Sequence, residues 1–159
     1  MKAIAFAALL VVSSVAHGKD KILFDEGDWS AYRGDKTISL ITNSKDGIGL
    51  LAGCRVDSDA CSWMIVALPD ICQPGSTFPA LVHGEPGGFA TELTCNSNDN
   101  EASTFIIKDF DTVTSIVKGS TSIQIAVPVE GRIDVVEFPT AGYTKAAVKF
   151  DRVLREASK

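Results

Sequence analysis

Over most of the chain, apolar positions alternate with polar ones in short stretches bounded by turn residues, which is the signature of half-buried strands. Thr37-Ile38-Ser39-Leu40-Ile41-Thr42 is β-branched and alternating, and Asn43-Ser44-Lys45-Asp46-Gly47 closes it as a turn whose Asp-Gly favours positive φ. Shorter runs precede it at Ile22-Leu23-Phe24 and Trp29-Ser30-Ala31-Tyr32. Ile48 to Gly53 leads into Cys54, and Ser62 to Leu68 reads as a central strand ended by Pro69-Asp70. Phe78–Val82 and Phe89–Thr94 are strands split by Gly84-Glu85-Pro86-Gly87-Gly88, and Thr104–Ile107 follows the polar stretch Asn96–Glu101. Ser122–Val127 and Arg132–Phe138 form a hairpin around Glu130-Gly131.

The period changes twice. Phe110, Val113, Ile116 and Val117 recur at helical spacing, with Asp109 as N-cap and Gly119 beyond the C-terminus. Tyr143, Ala146, Ala147, Phe150, Val153 and Leu154 make one apolar stripe, backed by Lys145, Lys149, Arg152 and Arg155. The predicted fold is mainly β: an antiparallel β-sandwich or barrel with two helices, about 110–118 and 141–156.

The N-terminus departs from this pattern. Met1-Lys2 is followed by an apolar run to Val12 and a small-residue zone, Ser13-Ser14-Val15-Ala16-His17-Gly18, as in a secretory signal peptide. The expected division is a leader over 1–18 and a single exported β-rich domain over 19–159. The apolar run falls short of the roughly 20 residues that span a bilayer, so no stable membrane insertion is expected. Export and the absence of Asn-x-Ser/Thr point to a bacterial periplasmic or secreted protein.

An exported chain with an even cysteine count predicts two disulfides. Cys54, Cys61, Cys72 and Cys95 allow three connectivities, of which Cys54–Cys61 with Cys72–Cys95 is favoured, because the polar segment 55–60 reads as a loop between two strands. The spacings lack the paired C-x₂₋₄-C of a zinc site.

Composition narrows function further. Lys and Arg number 15 against 20 Asp and Glu in 159 residues, a net charge of −5 and the wrong sign for tracking phosphates, so no nucleic acid is expected as a partner. Gly47-x-Gly49-x-x-Ala52 matches a dinucleotide fingerprint as text, but no helix follows to hold a pyrophosphate. Asn96–Glu101 lacks the Gly and Glu of a calcium loop. No G-x-S-x-G or H-E-x-x-H occurs, and His83 is the one histidine beyond the leader. No catalytic residue, metal or cofactor is therefore expected, although a carboxylate-dependent hydrolase needs only two acids (Asp57, Asp59, Glu85 and Glu92 are available).

A non-catalytic binding protein is the leading expectation, in particular a periplasmic inhibitor or immunity-type protein. An acidic, disulfide-pinned scaffold would be steered onto an exported enzyme with a basic cleft. Its contact residues would be Asp57 and Asp59 in the cross-linked hairpin, and His83 and Glu85 in the glycine-rich loop.

The C-terminal third adds a resemblance. A helix ending near Lys118-Gly119, a strand pair, and then Phe138-Pro139-x-x-Gly142-Tyr143-x-x-Ala146 resemble the closing segment of exported bacterial proteins of the invasion-associated locus B type. The resemblance covers about 112–150. Those proteins usually carry a cysteine shortly after the first tryptophan, and Trp29 has none nearby. The resemblance implies an exported β-sandwich, no catalytic residues, and an envelope or host-interaction role as the alternative to the inhibitor.

Overall fold

The computed structural model describes residues 21–58, 60–68, 72–98, 102–129 and 132–158. The expected leader and Asp59 lie outside them. Ten strands run β1 (Lys21–Glu26), β2 (Trp29–Arg33), β3 (Thr37–Asn43), β4 (Gly49–Arg55), β5 (Cys61–Leu68), β6 (Thr77–Gly84), β7 (Gly87–Asn98), β8 (Ser103–Ile107), β9 (Ser122–Val129) and β10 (Arg132–Pro139). Helix α1 (Phe110–Lys118) separates β8 from β9, and α2 (Tyr143–Ala157) follows β10. The mainly β, antiparallel class with two helices holds.

All strands join one antiparallel sheet in the order β1-β2-β3-β4-β5-β8-β7-β6-β9-β10. The first five strands are a meander. β6 to β8 form a second meander inserted in reverse, so β5 meets β8 and β6 meets β9. The sheet curls until its ends approach, and the Thr42 hydroxyl of β3 donates to the Pro139 carbonyl of β10 at 3.1 Å.

Strand alternation decides which side chains turn inward. Trp29 and Ala31, Ile38 and Leu40, Leu50 and Ala52, Trp63 and Ile65, and Ile123, Ile125 and Val127 are all buried on one face. Both helices cover that face. α1 contributes Val113, Ile116 and Val117, and α2 contributes Tyr143, Ala146 and Phe150. Where they meet the sheet, Trp63 stacks on Phe110 with centroids 6.0 Å apart, and Tyr143 lies 5.0 Å from Trp29. Buried aromatic pairs of this kind add roughly 0.5–1.5 kcal/mol beyond their area. The Trp63 indole donates to the Thr114 hydroxyl at 2.9 Å. Burial pushes the Tyr143 hydroxyl up to about 12, against the opposing effect of its hydrogen bond with Thr114.

Asp109 stands at the N-cap of α1, as expected, but its side chain makes no capping bond. Its backbone is left-handed (φ 63°), and its carbonyl accepts the Val113 N–H at 3.2 Å instead. A left-handed residue aims its side chain away from the first-turn amides that a cap normally serves.

Candidate functional site

The two disulfides are Cys54–Cys61 and Cys72–Cys95, the favoured connectivity. Cys54 and Cys61 stand directly opposite each other on β4 and β5, so the bridge closes the neck of the 55–60 loop. Cys72–Cys95 ties the segment entering β6 to β7, where the Cys95 N–H also donates to the Ser76 carbonyl at 2.8 Å.

The contact residues read from the sequence fare differently. Asp57 does lie in the cross-linked loop, but it is engaged by Arg55 from the end of β4. The guanidinium donates Nε–H and Nη2–H to its two carboxylate oxygens at 2.8 and 2.7 Å. That fork holds the Asp57 carboxyl below its ordinary range, and it offsets the charge the loop was expected to present. Asp59 lies outside the described residues.

His83 is exposed on the outer face of β6, opposite Gly88 of β7 and Gln124 of β9. Glu85 opens a two-residue turn between β6 and β7, and its carboxylate faces the connection after α1. Oε1 accepts the Thr121 hydroxyl at 2.6 Å and the Thr121 N–H at 3.2 Å, while the Glu85 N–H donates to the Ser120 hydroxyl at 3.0 Å. Those donors lower the Glu85 pKa, the Thr121 hydroxyl most. Pro86 rests against Gly119, where a Cβ would meet its ring at 2.5 Å. The turn is a bracket that fixes the α1–β9 connection. His83 and Glu85 therefore stay close in the fold, with the Asp57 loop elsewhere on the sheet.

Two concavities flank that connection, and Thr121 lines both. One, of about 500 Å³, lies between the β1–β2 turn, the end of α1 and the start of α2; Glu26, Lys118, Thr140, Tyr143 and Lys145 line it. Its acid is engaged, since Lys149 donates to Glu26 and lowers its pKa. The other, of about 480 Å³, runs between β10 and the β3–β4 turn, with Asn43, Lys45, Asp46, Val135 and Glu137 along it. No local pattern in the sequence marks this pair of clefts. Asp46 and Glu137 carried ordinary turn and strand signals, and only the curl of the sheet brings such distant segments together. Among the described residues no group of three or more His, Cys, Asp or Glu stands close enough to hold a metal.

No family model matches the sequence, and no curated protein matches it. Among solved structures, the chain is similar to the crystal structure of invasion associated protein B from Bartonella henselae. The similarity has a TM-score of 0.59 at 9% identity, and it covers 87% of this chain and 99% of the other. At that identity it shows the fold alone. It extends the local resemblance seen in the C-terminal third over most of the chain.

Proposed function

We propose that the chain is an exported, non-catalytic binding protein of the invasion-associated type, working at the bacterial envelope or where the envelope meets a host. The observation that carries this reading is the shared fold, which runs through nearly the whole of the invasion associated protein. Two disulfides suit an oxidising compartment. No described helix is long and apolar enough to cross a membrane. The inhibitor, the leading expectation from the sequence, drew in part on free acidic charge in the 55–60 loop, and the Arg55–Asp57 pair weakens that support, so the alternative role is preferred here.

The test compares the source strain, a deletion strain and a complemented strain. The protein is expected in envelope or culture-fluid fractions with all four cysteines oxidised, and host-cell association is expected to fall on deletion and return on complementation. Retention in the cytoplasm with free thiols would overturn export. Unchanged host association, together with stoichiometric capture of an exported enzyme that the protein inhibits, would overturn this reading in favour of the inhibitor.

A further inference from the structure

The sheet has two free edges, and they are built differently. Both carry three charged residues, Lys21, Asp25 and Glu26 on β1 and Arg132, Asp134 and Glu137 on β10. They differ in regularity: the register of β1 against β2 shifts between Ile22 and Phe24, and a bulge of this kind is a usual device by which an edge strand refuses another strand. β10 is regular. Its eight residues pair with β9 in unbroken register. Its outward-facing Ile133 and Val135 are 71% and 58% exposed.

Val135 also ends a row. Ala90 of β7 stands opposite Leu81 of β6, Leu81 opposite Ala126 of β9, and Ala126 opposite Val135. Leu81 is itself 46% exposed. Cross-strand neighbours of this kind stabilise a sheet by contact with the next member of the row. Here the row reaches the open edge and stops. The Pro139 end of β10 is covered, since its carbonyl accepts the Thr42 hydroxyl of β3, but a groove along Val135 and Glu137 separates the rest of the strand from the β3–β4 turn and leaves that part of the edge open.

We propose that β10 pairs edge to edge, antiparallel, with β10 of a second copy of this chain, with the two-fold axis at Val135. Antiparallel pairing of identical strands is an isologous contact and closes at two subunits. With Val135 opposite its own copy, the row runs unbroken through both molecules. Ile133 then faces Glu137, and Asp134 faces Val136, so no like charges stand directly opposite. Moving the axis to Asp134 would oppose two aspartates, which is unfavourable. A foreign strand could use the main-chain groups of the edge, but a copy also supplies the matching apolar row. The contact is small beside a standard interface, so the dimer is expected to depend on concentration.

Sedimentation velocity of the oxidised protein over a concentration series is expected to show a reversible monomer–dimer equilibrium. Val135→Lys is expected to abolish the dimer without changing the melting temperature. Val135→Cys is expected to give a disulfide-linked dimer on oxidation, whereas Ile133→Cys is not, because each copy of residue 133 faces residue 137. A wild-type protein that stays monomeric throughout would overturn the proposal, as would a dimer indifferent to Val135→Lys. Equal cross-linking of the two cysteine variants would overturn the register.

Discussion

At Gly27, in the β1–β2 turn, the backbone is left-handed (φ 62°), and a Cβ would lie 2.5 Å from the Ala141 carbonyl oxygen. Gly142 answers it from the other side, with φ 86° and a Cβ position 2.7 Å from the Glu26 carbonyl. The Asp28 N–H donates to the Ala141 carbonyl at 3.1 Å across the same approach. Two main chains touch here with no side chain able to yield. Gly47 has φ 81° but nothing within 4 Å of its Cβ position. The left-handed backbone alone costs an alanine about 1–2 kcal/mol. Gly27→Ala and Gly142→Ala are expected to exceed that loss and Gly47→Ala to stay within it, as measured by urea unfolding. Thr114→Val removes the acceptor of the Trp63 indole, and an unsatisfied buried donor costs about 1–3 kcal/mol. The same melts, with the near-ultraviolet signal of the tryptophans, check it. Sequence pattern showed which residues face inward, because alternation fixes the face of Ile38, Leu40, Trp63 and Ile65. It was silent on Gly27 with Gly142 and on Arg55 with Asp57, since those depend on where backbones and side chains end up in space.

Between elements, the joint of α2 with β1 is partly electrostatic. Lys149 pairs with Glu26 and lies 5.6 Å from the Phe24 ring centroid. The pairing lowers the Glu26 pKa from 4.5, chiefly through the hydrogen bond from Lys149. A carboxylate whose folded pKa is depressed contributes stability above its unfolded pKa and loses it as pH falls through the folded value. The Glu26 carboxyl is therefore expected to titrate below 4.5 by NMR, and Lys149→Met is expected to move it upward. No movement would detach Lys149 from Glu26. The elements themselves were legible: the helical period at Phe110, Val113, Ile116 and Val117 matches α1, and the stripe from Tyr143 to Leu154 matches α2. Their neighbours were not. Hairpins such as β9–β10 follow from local turn chemistry, but β5 beside β8 depends on long-range closure that no local pattern encodes. For the same reason the groove between Asp46 and Glu137 was invisible in the sequence.

Over the whole molecule, cross-linking is uneven. Both disulfides lie between residues 54 and 95, while β9, β10 and α2 close the curl by non-covalent contacts alone. In the chain-entropy model, bridges spanning 7 and 23 positions contribute roughly 2.5 and 3.4 kcal/mol. Replacing Cys72 and Cys95 together by alanine is thus expected to lower stability more than replacing Cys54 and Cys61, as thermal melts of the two double variants would show. An equal loss would mean that native packing, rather than loop length, sets the difference.

The order of the bridges has a further consequence for how the protein is made. Each cysteine joins the next one along the chain, first with second and third with fourth. A polypeptide delivered N-terminus first into an oxidising space exposes each thiol beside its correct mate before the following pair arrives. Oxidation in order of appearance yields the native bonds, so a simple oxidase suffices and no disulfide-shuffling enzyme is needed. Protein secreted into an oxidising compartment is accordingly expected to reach native pairing at the same yield in strains with and without a disulfide isomerase, as read by mass spectrometry of its cystine peptides.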